Sequence, residues 1–376
     1  HKGSVLVLSG DVPLLEKSTI TRLAKARERR GAPLAFIAFR PRDPAGYGRV
    51  VREGGRAVAI REHRDCSPAE RRIEEVNAGI YLIDIGFLRR AVSRLSADNE
   101  QGELYLTDLV SRAAARHDVP VVEAAEAEVG GVNDRVDLAR VETVLGRRVN
   151  ERLMRAGVTI RAPETVRVEL GVSVGADSEI EPGVQLLGAT RVGRRCRVEC
   201  GAVVRDSVVA NGARVRAYSV LDGAAVGDGA EVGPLGRLRP GAELKKGAKV
   251  GNFVEVKNTV LGEGAKANHL AYLGDGCVGD RVNVGAGTIF CNYDGFLKHP
   301  TVLEDDVFIG SDSQLVAPVT VGAGAYVASG STVTKDVPPD ALAISRTRQE
   351  NKPRVAAVLR RKLAAEKKRR DRKSVV

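Results

Sequence analysis

From about residue 160 onward the sequence carries a six-residue period. An aliphatic side chain recurs at Val226, Val232, Leu238, Leu244, Val250 and Val256, and again at Leu303, Ile309, Leu315, Val321, Val327 and Val333. Shorter runs in the same spacing are Val192, Val198 and Val204, then Val209, Val215 and Leu221. The following position is often glycine, as at Gly193, Gly227, Gly233, Gly251, Gly310 and Gly322. Each hexad reads as a short strand and a tight corner, with the aliphatic residue pointing into a narrow prism and a small residue letting the chain turn. Three hexads close one triangular coil, so the pattern predicts a parallel β-helix of roughly ten coils. Each coil needs its neighbours and the ends need covers.

The period breaks between Phe290 and Leu303, where Cys291-Asn-Tyr-Asp-Gly-Phe-Leu-Lys-His-Pro300 is extruded. Loops held on rigid scaffolds often carry function. Upstream, residues 1–133 read as α/β. Strand-like runs at Val5–Leu8, Ala35–Phe39 and Gly79–Ile83 alternate with helical stretches such as Ser18–Arg30, with Ser18 as N-cap and Gly31 after the end. That alternation predicts a mostly parallel sheet. Residues 134–157 read as one linker helix: Leu138, Val141, Leu145, Val149 and Leu153 share a face, Asn133 or Asp134 caps the start, and Gly157 ends it. The β-helix then occupies 158–346.

The length of 376 residues suits two or three domains. No apolar run approaches the ~18 residues of a membrane span, and no secretory signal is visible, so a cytoplasmic protein is expected. Val5 begins a strand almost at the first residue and position 1 is not Met, so an N-terminally truncated fragment is expected. The five cysteines are scattered, and the close pair Cys196 and Cys200 lacks the further ligands of a zinc site. The formal net charge is +11, but Lys352–Val376 holds eleven Lys or Arg against Glu366 and Asp371. Residues 347–376 therefore read as a basic, disordered tail. With only 4% aromatic residues there is no stacking platform, and no specific nucleic-acid role is expected.

Two histidines, His269 and His299, fall in the repeat, too few for a three-imidazole zinc site. His269 is a candidate general base, with a structural or surface role as the alternative. Arg239 and Lys257 follow the buried positions Leu238 and Val256 and lie eighteen residues apart, one full coil. They should stack, and two stacked cations call for an anion such as a sugar phosphate, the alternative being a solvated basic face.

Ten strings carry a resemblance over nearly the whole chain. They are Gly10-Asp-Val-Pro-Leu14, Gly46-Tyr-Gly-Arg49, Glu75-Val-Asn-Ala-Gly79, Gly130-Gly-Val-Asn-Asp134, Arg237-Leu-Arg-Pro-Gly241, Val250-Gly-Asn-Phe-Val-Glu-Val-Lys257, Asn268-His-Leu-Ala-Tyr-Leu-Gly-Asp275, Asn283-Val-Gly-Ala-Gly287, Cys291-Asn-Tyr-Asp-Gly295 and Ala343-Ile-Ser-Arg346. On these the chain resembles the bacterial bifunctional N-acetylglucosamine-1-phosphate uridyltransferase / glucosamine-1-phosphate acetyltransferases. The resemblance implies an incomplete α/β Rossmann-like nucleotidyltransferase domain followed by a left-handed parallel β-helix that trimerises. It implies acetyl transfer from acetyl-CoA to glucosamine 1-phosphate, then UMP transfer from UTP with magnesium, in the making of UDP-N-acetylglucosamine for the cell wall.

By the same resemblance His269 is the general base, Arg239 and Lys257 grip the sugar phosphate, and Tyr272 and Asn283 contact the sugar. Ala286, Asn292, Tyr293, Ser311, Ser329 and Arg346 match acetyl-CoA positions. Ser329 stands where the family often has Ala, and Ser345 where it often has Gly. Asp11 and Asn133 match magnesium ligands, and Gly46, Glu62, Asn77 and Asn133 match UDP-sugar contacts. The family's opening Gly-rich phosphate loop has no counterpart here, so uridylyl transfer is expected to be absent from this polypeptide. The alternatives are a sugar nucleotidyltransferase with a regulatory β-helix and a non-catalytic trimeric scaffold.

Overall fold

The structure, a computed structural model, describes residues 3–373. The chain divides into two units, with the sequence boundary between Arg148 and Val149. The first contains strands β1 (Ser4–Val7), β2 (Leu34–Phe39), β3 (Arg49–Glu53), β4 (Arg56–Arg61), β5 (Val76–Asp84) and β6 (Val121–Glu123). Its helices are α1 (Lys17–Arg30), α2 (Ile85–Val92), α3 (Asp108–Ala114), α4 (Glu126–Val129) and the first part of α5 (Arg135–Arg155). The sheet order is β4-β3-β5-β2-β6, with β1 also paired to β5.

β2 explains why this unit has two cores. All six of its residues are buried. Successive side chains point to opposite faces, so Leu34, Phe36 and Ala38 join one cluster while Ala35, Ile37 and Phe39 join the other. The sheet is not mostly parallel as the alternation suggested. β5 runs antiparallel to β1, β2 and β3, β3 and β4 form a hairpin, and β2 with β6 is parallel. The hairpin turns at Gly54 and Gly55, both at positive φ, a conformation glycine reaches without a Cβ clash. Strand–helix alternation cannot reveal such a turn. Ser18 is not the cap of α1 either: the N-cap is Glu16, and the Ser18 hydroxyl donates to its carboxylate at 3.2 Å. Gly31 does end the helix, at φ 59°.

α5 starts at Asp134, whose carboxylate accepts the N–H groups of Val136 and Asp137 at 2.8 Å. The helix is not a free linker. From Val149 it belongs to the second unit, where Val149 and Leu153 enter the solenoid core. The Asn150 amide donates to the carbonyls of Pro163 and Val166 at 2.8 and 2.9 Å. This last part of α5 covers the first coil, whose apolar end would otherwise face water.

The rest of the second unit is a parallel β-solenoid. One sheet stacks eleven strands along Ile160, Ile180, Val198, Val215, Val232, Val250, Ala267, Val284, Ile309, Val327 and Ala343. The other faces form a seventeen-strand set. Coils are not uniformly eighteen residues: Val215 pairs with Val232, and Val250 with Ala267. The extruded loop lengthens the coil between Val284 and Ile309. Most strands bury one aliphatic residue, and a buried Val, Leu or Ile contributes about 1.5–3 kcal/mol relative to exposure.

After the last strand, Leu342–Ala343, residues Val355–Lys373 form helix α6. The expected disorder of 347–376 therefore does not hold across Val355–Lys373, and 374–376 lie outside the described residues. The charge block concealed a run of strong helix formers, Ala, Leu, Arg and Lys, supported by an i,i+4 pair between Arg370 and Glu366 at 2.7 Å. No helix among the described residues is long and apolar enough to cross a membrane.

Ile309 is fully buried and Val208 is 50% exposed. Ile309→Ala should cost about 2–5 kcal/mol and Val208→Ala less than about 0.5 kcal/mol, read as urea midpoints. Equal losses would contradict the inward assignment of the hexad aliphatics.

Candidate functional site

In a parallel solenoid, residues in register occupy the same position one rung apart, about 4.8 Å. His269 ends the strand Lys266–His269, just before a corner at Leu270 with φ 43°. Ala267 pairs with Val284, Val284 with Ile309, Ile309 with Val327, and Val327 with Ala343. Two residues beyond each lie His269, Ala286, Ser311, Ser329 and Ser345. Backbone bonds tie this edge together: Asp312 N–H donates to Ala286 O at 2.7 Å and Gly330 N–H to Ser311 O at 2.9 Å. The Arg346 guanidinium donates to Ser329 O at 2.7 Å. Three of the six residues expected to meet acetyl-CoA, Ala286, Ser311 and Ser329, thus form a straight track of small residues, with a fourth, Arg346, at its end. It begins at His269 and ends about 19 Å away at a cation.

The second cluster lies across the corner from His269. Leu238, Val256 and Leu273 are in register, so Arg239 and Lys257 do stack as the spacing required. Each also has an acidic neighbour: Arg239 donates to Glu255 at 2.8 Å, and Lys257 Nζ lies 3.9 Å from Asp275. The stack therefore does not demand an external anion, which corrects the inference from spacing. The sequence reading missed Lys298, which the extruded loop brings to 4.0 Å from the same Asp275. Two amides also donate to that carboxylate, Asn258 at 2.8 Å and Asn292 at 2.6 Å. With Lys298 the group carries three cations against two carboxylates.

The electrostatics follow. Lys257 is held below the usual lysine range, chiefly by Lys298, then by burial and Arg239. Burial pushes Asp275 upward, but its amide and lysine partners outweigh that and leave it below the usual carboxylate range. Tyr272 joins the group over Gly274, where a Cβ would sit 2.5 Å from the Tyr272 hydroxyl and 2.8 Å from Asn292 Nδ2. Asn283 is half-buried at the opposite end of its strand from Ala286 and pairs with Lys266. Tyr293 is exposed on the loop.

The loop is internally braced. Asp294 accepts from the Phe296 and Leu297 N–H groups at 2.8 and 2.7 Å and pairs with His299 at 2.7 Å. These contacts, His299 first, lower its carboxyl to about 2. No sequence spacing could place Lys298 beside Lys257, because the insert breaks the coil arithmetic.

In the first unit, Asp11, Gly46, Glu62, Asn77 and Asn133 all line one cleft of about 510 Å³. Val132 N–H donates to Asp11 O at 2.9 Å, which seats the 130–133 loop against Asp11. A Cβ at Gly131 would stand 2.7 Å from Asp11 Oδ2, so a larger residue there would push that carboxylate aside. Glu62 accepts from the Thr107 hydroxyl at 2.9 Å, and Asn77 donates to Tyr81. All five expected residues of this cleft are brought together.

Asp275→Ala should cost about 1–3 kcal/mol, because it leaves two amides unpaired and three cations with one counter-charge fewer. Added inorganic phosphate should restore part of the loss in thermal unfolding. Equal losses in chloride and in phosphate would show that the three cations do not act as an anion site.

Residues 300–335 match the model described as bacterial transferase hexapeptide (six repeats). A protein of Sorangium cellulosum named "Bifunctional protein GlmU" is 51% identical over 96% of this chain and 76% of its own length. Proteins of the same name from Trichlorobacter lovleyi and Anaeromyxobacter sp. are 50% and 51% identical, over 93% and 98% of this chain and 77% and 75% of their own lengths. Solved structures align more distantly. A UDP-N-acetylglucosamine acyltransferase from Campylobacter jejuni matches with a TM-score of 0.35 at 16% identity, covering 54% of this chain and 78% of that one.

Proposed function

We propose that this chain, which belongs to the family of the bifunctional protein GlmU, uses its solenoid to transfer the acetyl group of acetyl-CoA to the amine of glucosamine 1-phosphate. The observation that carries the reading is the track of small residues running from His269 to Arg346. Its length suits an extended pantetheine arm. Ala286, Ser311 and Ser329 leave room for it, and Arg346 meets the phosphates with a guanidinium fork. The thioester end then lies at His269.

In the reaction, the neutral amine nitrogen attacks the thioester carbonyl carbon, and His269 Nε2 takes the proton the nitrogen loses. The tetrahedral intermediate collapses, the C–S bond breaks, and the leaving thiolate takes up a proton. The products are N-acetylglucosamine 1-phosphate and CoA. Arg239, Lys257 and Lys298 hold the phosphate of the acceptor, with Tyr272 and Asn292 at the sugar, while Asn283, at the far end of its strand, reaches the sugar from a neighbouring copy. Glu255 and Asp275 keep the cations ordered, and the cations share their hydrogen bonds with the phosphate when it arrives. A purely regulatory or scaffolding β-helix has no use for a small-residue track that begins at a histidine.

The acting species is a homotrimer. Support comes from the corner beside His269, where Tyr218, Leu235, Phe253 and Leu270 are 62, 45, 56 and 62% exposed, all at positive φ. Bulky residues in that conformation are uncommon, and a ladder of them facing water marks an interface. A neighbouring copy seated there brings its phosphate cluster to this copy's histidine.

The family's second activity is transfer of UMP from UTP to N-acetylglucosamine 1-phosphate, with release of pyrophosphate. The cleft residues Gly46, Glu62 and Asn77 would contact the UDP-sugar, but the transfer itself is expected to be absent from this polypeptide, whose sequence has no counterpart of the family's Gly-rich phosphate loop. The oxygens of Asp11 and Asn133 are the hard donors that magnesium prefers, in a cradle that a Cβ at Gly131 would fill. When bound, the ion neutralises phosphate charge.

The test is release of CoA thiol from acetyl-CoA and glucosamine 1-phosphate. Release should depend on the sugar phosphate and fall by at least about 10²-fold in His269→Ala. Sugar-dependent release at the parent rate in that variant would remove His269 from its role.

A further inference from the structure

The rung next to His269, on the side away from the acetyl-CoA track, is occupied by Asn252, which pairs in register with the histidine. Its side-chain Oδ1 lies 2.8 Å from His269 Nδ1. Its backbone carbonyl accepts from Leu270 N–H at 3.0 Å. The approach of the two rungs depends on Gly251, where a Cβ would stand 1.9 Å from the Asn268 carbonyl oxygen. Both residues line a cleft of about 350 Å³ whose charged groups are Arg216, Glu231, Lys249 and Lys266.

We infer that Asn252 is a positioning residue that fixes the tautomer of His269. An amide oxygen can only accept, so a neutral imidazole facing it carries its proton on Nδ1. The lone pair is then on Nε2, where a base needs it. When Nε2 takes the amine's proton, the Nδ1–H···O bond becomes charge-assisted and strengthens. A serine or carboxylate partner is not needed; the neighbouring rung supplies the acceptor. Outer partners of this kind orient and tune the group that does the chemistry.

The inference rests on the acetyl-transfer reading of His269, and the experiment separates the two. The full chain is labelled with ¹⁵N-histidine, and the His269 signals are assigned by difference with His269→Gln. Proton on Nδ1 and lone pair on Nε2 are expected in the parent protein. The opposite tautomer there overturns the inference without any variant being needed. In Asn252→Ala the preference should be lost and kcat should fall about 10- to 100-fold, with KM for both substrates unchanged within about threefold. Asn252→Asp should restore most of kcat and move the acid limb of the rate profile to higher pH, because a carboxylate favours the imidazolium. A parent-like kcat in Asn252→Ala, with His269→Ala inactive, overturns the positioning role and leaves the base in place. An active His269→Ala removes the base itself and the inference with it.

Discussion

The backbone hydrogen bonds from each coil to the next are the constraint on which the rest depends. A parallel ladder has no freedom of register once one aliphatic residue per strand is buried, because a slip of one residue would turn the whole hydrophobic set outward. Every outward position is therefore repeated at the same azimuth on the next rung. A track of small residues, a stack of cations and an apolar corner can each be built from residues seventeen to twenty-five apart in sequence, with no tertiary folding beyond the coil itself. The close approach of rungs at Gly251 and Gly262, whose neighbours are the backbone of Asn268 and of Gly279, is part of the same constraint. Where a side chain would strike the neighbouring coil, glycine is required.

The same ladder shapes the electrostatics. Like charges in register would destabilise one another, and the solenoid answers with acids one rung away: Glu255 beside Arg239 and Asp275 beside Lys257. The cluster is nearly neutral at rest, with Lys298 leaving a small positive excess. A site of this kind attracts a phosphate without the self-repulsion that a bare cationic stack would carry. It also places the counter-ions where they order Asn258 and Asn292.

Much of this was legible in the sequence, because a strict period translates directly into geometry. The hexads at Val226 to Val256 and Leu303 to Val333 gave the coils, and the stacking of Arg239 on Lys257 followed from their spacing. The helix cap at Asp134 and the corner at Gly31 were also readable, since both rest on local backbone chemistry. What escaped notice depended on contacts that no period encodes. The hairpin at Gly54-Gly55 reversed strand directions, and α5 proved to be shared between units. Lys298 came to Asp275 through a loop whose length hides its register. Asn252 and His269 are seventeen residues apart, not eighteen, so a fixed eighteen-residue count misses their pairing. In the basic tail the like charges of Lys and Arg mask the helix propensity that the same residues share with Ala and Leu.

A solenoid measures length in whole coils. The span from His269 to Arg346 is set by how many turns lie between them, and each rung adds about 4.8 Å. A single-residue deletion at a corner leaves that span nearly unchanged, since the coils already tolerate seventeen or eighteen residues. Gain or loss of an entire coil changes it by one fixed step. The extruded loop at 291–300 escapes this quantisation, because it adds residues without adding a rung. The fold thus works as a ruler: the distance from His269 to Arg346 is graduated by coil number, while the surroundings of Asp275 can be changed through the loop without altering that distance.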